Sequence, residues 1–257
     1  MRPIFSFLFL ALSLTCIAQE EVPELITDRP DQTESSAVVP VGSLQIESGF
    51  VRERIDNETS TSTSYAVNTT LLRYGLTNHF ELRVGLDYLH DRVTVKASDS
   101  TGITRGFGPL HTGFKIKIRD ENGWIPEVAF LGGLTHPFAA NPDYRTANTA
   151  AGMRFAFSHT ITESISLGYN LGAEWDGDSV IPGYFYSLVM GASITERTGF
   201  FAESYGIIRE SGTAEHLVDA GLTFLAMDNL QFDLSGGLGI NEQAIDHFLS
   251  VGFSLRL

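Results

Sequence analysis

The sequence has a single cysteine, Cys16, in 257 residues, which excludes an intrachain disulfide framework and any cysteine-built zinc site. Basic residues are scarce as well: 17 Lys and Arg stand against 31 Asp and Glu, a formal net charge of −14. A chain this acidic lacks the footprint for sequence-independent nucleic-acid binding, so no nucleic-acid partner is expected. Charged residues of all kinds reach only 19%, below the roughly 25% usual in soluble domains. The 43% of hydrophobic residues, including 18 Phe and 8 Tyr, excludes a disordered tail. Long apolar runs are missing beyond the N-terminus, and no second stretch of 18 apolar residues exists to form a membrane helix. Chemistry-bearing motifs are missing too: there is no Gly-rich phosphate loop, no His-Glu-x-x-His, no Gly-x-Ser-x-Gly and no calcium-loop pattern. The seven histidines, His79 to His247, are scattered without ligand spacing. No catalytic residue, metal ligand or cofactor is therefore expected.

What is present begins with a targeting segment. Arg2 supplies a positive start, Ile4 to Leu14 is apolar apart from Ser6 and Ser13, and Cys16-Ile17-Ala18 places small residues at the positions a signal peptidase reads. This predicts a cleavable signal over residues 1–18 and a mature start at Gln19. A membrane anchor is the alternative, but the apolar stretch falls short of the roughly 20 residues a span needs. Cleavage would remove both the only cysteine and Arg2, taking the net charge from −14 to −15. That composition suits an oxidising compartment outside the cytoplasm.

From about Leu44 onward the pattern has period two, the period of strands. In Phe80 to Tyr88, the residues Phe80, Leu82, Val84, Leu86 and Tyr88 share one face, while Glu81, Arg83, Gly85 and Asp87 share the other. The same split recurs in Leu110–Ile118, Ile165–Trp175, Leu230–Leu238 and Leu249–Leu257, and every charge in these runs falls opposite the apolar face. Short polar turns (near Asn78, Asp120 to Gly123, Thr160 to Glu163, Thr195 to Gly199 and Ala226 to Asn229) alternate with longer links. The longer links fall near residues 55–64, 96–106, 137–147, 176–183, 210–215 and 241–247. A soluble β-sandwich also alternates in hydrophobicity, but gives no reason for links to alternate in length. A transmembrane barrel predicts both, with an even strand number, short periplasmic turns and longer outer loops. The expected fold is an all-β, antiparallel up-and-down barrel of about twelve strands over residues 43–257, in a bacterial outer membrane.

Charges on the inward face are the candidate lumen-lining residues: Arg73, Glu81, Arg83, Asp87, Lys115, Lys117, Arg154, Glu174, Glu203, Asp219, Asp233 and Arg256. They could line an aqueous path or, as matched salt bridges, hold the barrel rigid and block flow. Twelve strands lie between filled eight-strand barrels and open sixteen-strand porins, so at most a restricted conduit is expected. Inward glycines such as Gly85, Gly172 and Gly252 make room for long charged side chains or permit strand coiling. Residues 19–42 lack a strand pattern. They read either as a periplasmic leader or as a small plug in which Asp28, Arg29 and Asp31 pair with luminal charges. Acidic outer links containing Asp56, Glu58, Asp176, Asp178, Glu210, Glu215, Glu242 and Asp246 would repel lipopolysaccharide or bridge to it through divalent ions.

Thr27-Asp28-Arg29-Pro30-Asp31-Gln32-Thr33-Glu34, followed by Val39 to Gly49, resembles the N-terminal signature of the putative MetA-pathway of phenol degradation family. Asp219–Phe224, Gln231–Ser235 and Val251–Arg256 resemble its C-terminal strands. The resemblance implies a transporter-like outer-membrane barrel associated with aromatic-compound catabolism. The function expected is a passive conduit or binding channel for small solutes, its partners being outer-membrane lipid, lipopolysaccharide, the barrel-assembly machinery and an unidentified solute. The alternatives are a closed structural barrel, or an outer-membrane enzyme. The enzyme would need polar constellations on the lipid face, which the alternation lacks.

Overall fold

The computed structural model describes residues 23–209 and 213–257; the expected signal over residues 1–18 and Glu210 lie outside them. Strands follow one another as β1 (Leu44–Asp56), β2 (Ser60–Thr77), β3 (Phe80–Val95), β4 (Ser100–Phe107), β5 (Leu110–Arg119), β6 (Glu127–His136), β7 (Ala150–Thr162), β8 (Ile165–Glu174), β9 (Gly183–Thr195), β10 (Thr198–Ile208), β11 (Ala214–Met227), β12 (Leu230–Gly239) and β13 (His247–Arg256). Each pairs antiparallel with its neighbour, and β1 pairs with both β2 and β13, which closes the sheet. β4 and β5 share one stave: β5 pairs with Phe80–Gly85 of β3, and β4 with Tyr88–Val95. The stave breaks at residues 108–109, where Pro109 has no N–H to give the ladder. The result is a closed twelve-stranded barrel. Closure pairs the spanning strands on both sides, as a lipid-embedded sheet requires; β4, beyond the break, has a ladder with β3 alone.

Two links expected to be long are tight turns. Asn57 Oδ1 accepts the Thr59 and Ser60 N–H groups at 3.0 and 2.9 Å, an Asx turn that closes a hairpin at residues 57–59. A second turn at residues 96–99 places Asp99 at φ 51°. The Ser- and Thr-rich residues 60–70 favour extended backbone, so β2 runs for 18 residues and β3 for 16. That is well beyond the roughly ten a span needs, and this corner of the barrel projects outward as paired strands.

Burial is inverted relative to a soluble domain. The most enclosed large side chains are Arg73, Lys115 and Glu81 at 0% exposure, with Gln45 and Glu47 at 1%. On the opposite face Leu82, Val84, Phe155, Leu171, Leu222, Leu234 and Leu249 are all exposed. Such a surface is stable only against hydrocarbon. An aromatic band, Phe80, Phe114, Phe130, Phe155, Phe157 and Tyr169, crosses five staves with neighbouring rings 4.8–6.3 Å apart.

Candidate functional site in the barrel lumen

Residues 23–43 run inside the barrel as a loop that begins and ends at the same rim. At one end Arg256 donates to the carbonyls of Glu24 (2.9 Å) and Pro23. At the other, Gly42 N–H donates to the Gly75 carbonyl at 2.9 Å before β1 starts. A side chain on Gly75 would meet the Val39 and Pro40 carbonyl oxygens at 2.2 and 2.3 Å, so this contact needs glycine. Val39 N–H donates to Glu81 at 2.8 Å.

Between these ends the segment docks on a charge cluster built by β1, β2, β3 and β5. Arg73 reaches Glu47 and Glu81 at 2.8 Å each and Asp28 at 3.1 Å. Arg83 reaches Asp28 at 2.6 Å and holds Glu34 with two bonds of 2.9 and 2.8 Å. Lys115 donates to both Asp28 oxygens at 2.9 and 3.0 Å. Three cations thus converge on one carboxylate. Burial alone would raise the Asp28 carboxyl, but Arg73, Lys115 and Arg83 together hold it well below the usual carboxylate range. The docking it contributes is complete at neutral pH. It is lost only in acid, as pH falls from the ordinary carboxylate value through the depressed one.

The opposite wall, β8 to β13, holds the segment with fewer bonds. Arg29 reaches Asp233 at 2.9 Å and donates to Ser250 at 3.0 Å. Glu203 accepts Gln32 N–H at 2.7 Å and the Thr33 hydroxyl. Asn170 exchanges two bonds with the Glu34 backbone, 2.8 and 3.0 Å.

The remaining candidate residues sit apart from this cluster. Asp87 accepts Thr70 N–H at 3.3 Å and faces a cavity of about 290 Å³ that Arg29 also lines. Lys117 is bound by Asp120 and Glu127 at 2.6 and 2.7 Å, toward the rim with the short turns. Arg154 pairs with Glu174 and lies 3.8 Å over the Phe185 ring. Asp219 is buried beside the Glu203 carboxyl, and no backbone N–H, hydroxyl, amide or cationic side chain donates to either of its oxygens. Asp31 touches cavities on both sides of the segment.

Sequence reasoning did not single out Glu47, Gln45, Glu34 or Asn170, which are as central as the residues it did. Glu47 and Gln45 alternate with Leu44 and Ile46, the same signal that marked Glu81 and Arg83. Gly252, read from the sequence as an inward glycine that makes room for a long charged side chain, does so together with Gly49. They face each other across β1 and β13, and an added Cβ on either would lie 2.5 or 2.4 Å from the Arg29 guanidinium. The pair is a notch cut for that side chain. Gly252→Val should expel Arg29 from Asp233 and make the segment accessible to protease in the folded barrel. A cleavage pattern unchanged from wild type would count against the notch.

The fold also recurs in solved structures. An outer membrane channel of Pseudomonas putida F1 superposes with a TM-score of 0.66 at 16% identity, covering 86% of this chain and 98% of that one. The translocator domain of the autotransporter NalP from Neisseria meningitidis gives 0.52 at 10% identity, with 85% and 90% covered. The KdgM porin in complex with disordered oligogalacturonate gives 0.50 at 10% identity, with 83% and 98% covered. At these identities the likeness shows the outer-membrane barrel fold. No curated protein matches the sequence. The sequence itself matches one family over residues 27–257, and the chain belongs to it: the family described as "Putative MetA-pathway of phenol degradation".

Proposed function

We propose that this barrel is a passive outer-membrane conduit for small solutes of aromatic character, closed in the observed state by residues 23–43. One observation carries the reading. Two cavities of about 340 and 330 Å³ lie against Arg29, Pro30 and Asp31 from opposite ends of the barrel. The first is bordered by the short turn at Glu163-Ser164 and by Glu24. The second is bordered by Glu53, Glu215 and Ile245 near the long links. The two cavities share Arg29, Pro30 and Asp31 as lining, so the segment stands between them. Phe201 lines the first cavity, and Tyr205 and Phe248 the second. Such flat, partly apolar surfaces can stack against a small aromatic solute, and the family description agrees with that solute class. Passage needs no cofactor and no catalytic step, so the reading assigns none.

Delivery follows from the same reading. Residues 1–18 act as a cleavable signal, the barrel-assembly machinery inserts the mature chain, and the exposed apolar belt meets lipid, with the acidic outer turns beneath lipopolysaccharide. The test is electrical. Protein refolded into a planar bilayer should give small, discrete ion currents, and phenol added as a probe should reduce them by occupying the aromatic-lined cavities. A correctly folded barrel that passes no current would favour the closed structural alternative. Currents indifferent to phenol would remove the aromatic preference.

A further inference from the structure

We propose that the β10–β12 wall contains a binding site for a small, partly hydrated inorganic cation, centred on Asp219. The carboxylate projects inward from β11 and is 7% exposed, yet no backbone N–H, hydroxyl, amide or cationic side chain donates to either oxygen. Its register partner across the ladder is Glu203, another carboxyl, within hydrogen-bond reach of it, so that the pair must share either a proton or a cation. One step along β12, the Ser235 hydroxyl is 3% exposed and also has no partner; Ser235 pairs with Gly221, two residues from Asp219 on the same face. The unpartnered atoms on this patch are therefore all oxygens, two of them the carboxyl oxygens of Asp219. A buried carboxylate without a partner is costly, and native structures rarely leave one.

The surroundings add negative charge rather than relieve it. Asp31 sits near enough that Glu203, and more weakly Asp219, push its carboxyl up, on top of the larger effect of its own burial. The cations that could answer are committed elsewhere. Arg29 is bound to Asp233 and Ser250, and Arg154 to Glu174 and the face of Phe185. An all-oxygen donor set selects a hard cation such as Ca²⁺, Mg²⁺ or Na⁺ over a transition metal. Among the described residues no three carboxylate or imidazole groups converge closely enough to chelate a bare ion. The ion therefore keeps part of its water and is held at Asp219 with Glu203, the Ser235 hydroxyl completing the cradle. The site stands whether or not the barrel conducts.

The experiment is a heat-unfolding series on refolded, lipopolysaccharide-free protein in detergent, with CaCl₂, MgCl₂ and NaCl compared against choline chloride at matched ionic strength. Wild type should melt higher with at least one inorganic cation than with choline, and calorimetric titration should show saturable binding. Asp219→Asn, which keeps the shape but removes the charge, should melt no lower than wild type in choline and should lose the cation-dependent rise. Glu242→Gln, in the outer link, should retain that rise. A wild type indifferent to the choice of cation, or an Asp219→Asn variant with an undiminished rise, would overturn the site. So would a rise abolished by Glu242→Gln but not by Asp219→Asn, since the ion would then sit on the outer turns.

Discussion

A barrel lacking residues 23–40 should conduct several-fold more current than the intact chain and shift its preference toward anions. The size follows from the path. On the β8–β13 side, cavities of about 340 and 330 Å³ lie on either side of Arg29-Pro30-Asp31, so removing that crossing should join them. The selectivity follows from the charges. The deletion takes out Glu24, Asp28, Asp31 and Glu34 but only one cation, Arg29. Lys115 then loses both of its carboxylate partners, Asp28 and Glu34, and Arg83 retains only Glu81 at 3.1 Å. Water entering the vacated lumen solvates these groups, so the barrel itself should still fold and keep its strand signal in circular dichroism. Single-channel recording in a salt gradient reads both effects. An unchanged conductance from a folded deletion variant would mean that the segment does not control the path.

Arg73→Met should be the most damaging single substitution in the wall. Arg73 is fully enclosed and bonds Glu47, Glu81 and Asp28 within 3.1 Å. Methionine restores most of the volume but strands three carboxylates around one pocket, with only Arg83 and Lys115 left to answer them. Breaking a buried ion pair by removing one partner costs roughly 3–5 kcal/mol, far more than the pair contributes net. By contrast Arg54→Met, which removes an exposed pair with Asp56 at 3.0 Å, should cost at most about 1 kcal/mol. Urea unfolding of the two variants in lipid vesicles separates these magnitudes. A loss for Arg73→Met no larger than that for Arg54→Met would show that water, not protein, already solvates the cluster.

The two substitutions also mark how far sequence reading reached. That Arg73, Glu81, Arg83 and Lys115 share the polar face follows from period two, because a strand alternates its side chains strictly. The alternation likewise separates Leu82 and Val84 from Glu81 and Arg83, and so indicates a barrel with a lipid-facing belt. It says nothing about which luminal groups meet. Asp28 finds Lys115 across 87 residues, and Arg29 finds Asp233 across 204. Those meetings depend on closure of β1 against β13, on the stagger of the strands, and on the route of a segment with no periodicity of its own. The β1–β2 and β3–β4 turns read from the sequence as long links because the Ser- and Thr-rich strand ends beyond the membrane are polar on both faces, which erases the alternating signal.

The amino-acid sequence by itself determined the strand character, the two faces, the family and the inward placement of the charges, since these depend only on neighbours a few residues apart. Tertiary structure alone decided that the lumen is asymmetric. On one side Arg73, Arg83 and Lys115 converge on Asp28; on the other, cavities of about 340 and 330 Å³ flank Arg29-Pro30-Asp31, with Asp219 in the wall. The physical reason is that Coulomb partners in an enclosed lumen are chosen by distance across the barrel, a quantity that exists only once the sheet has closed.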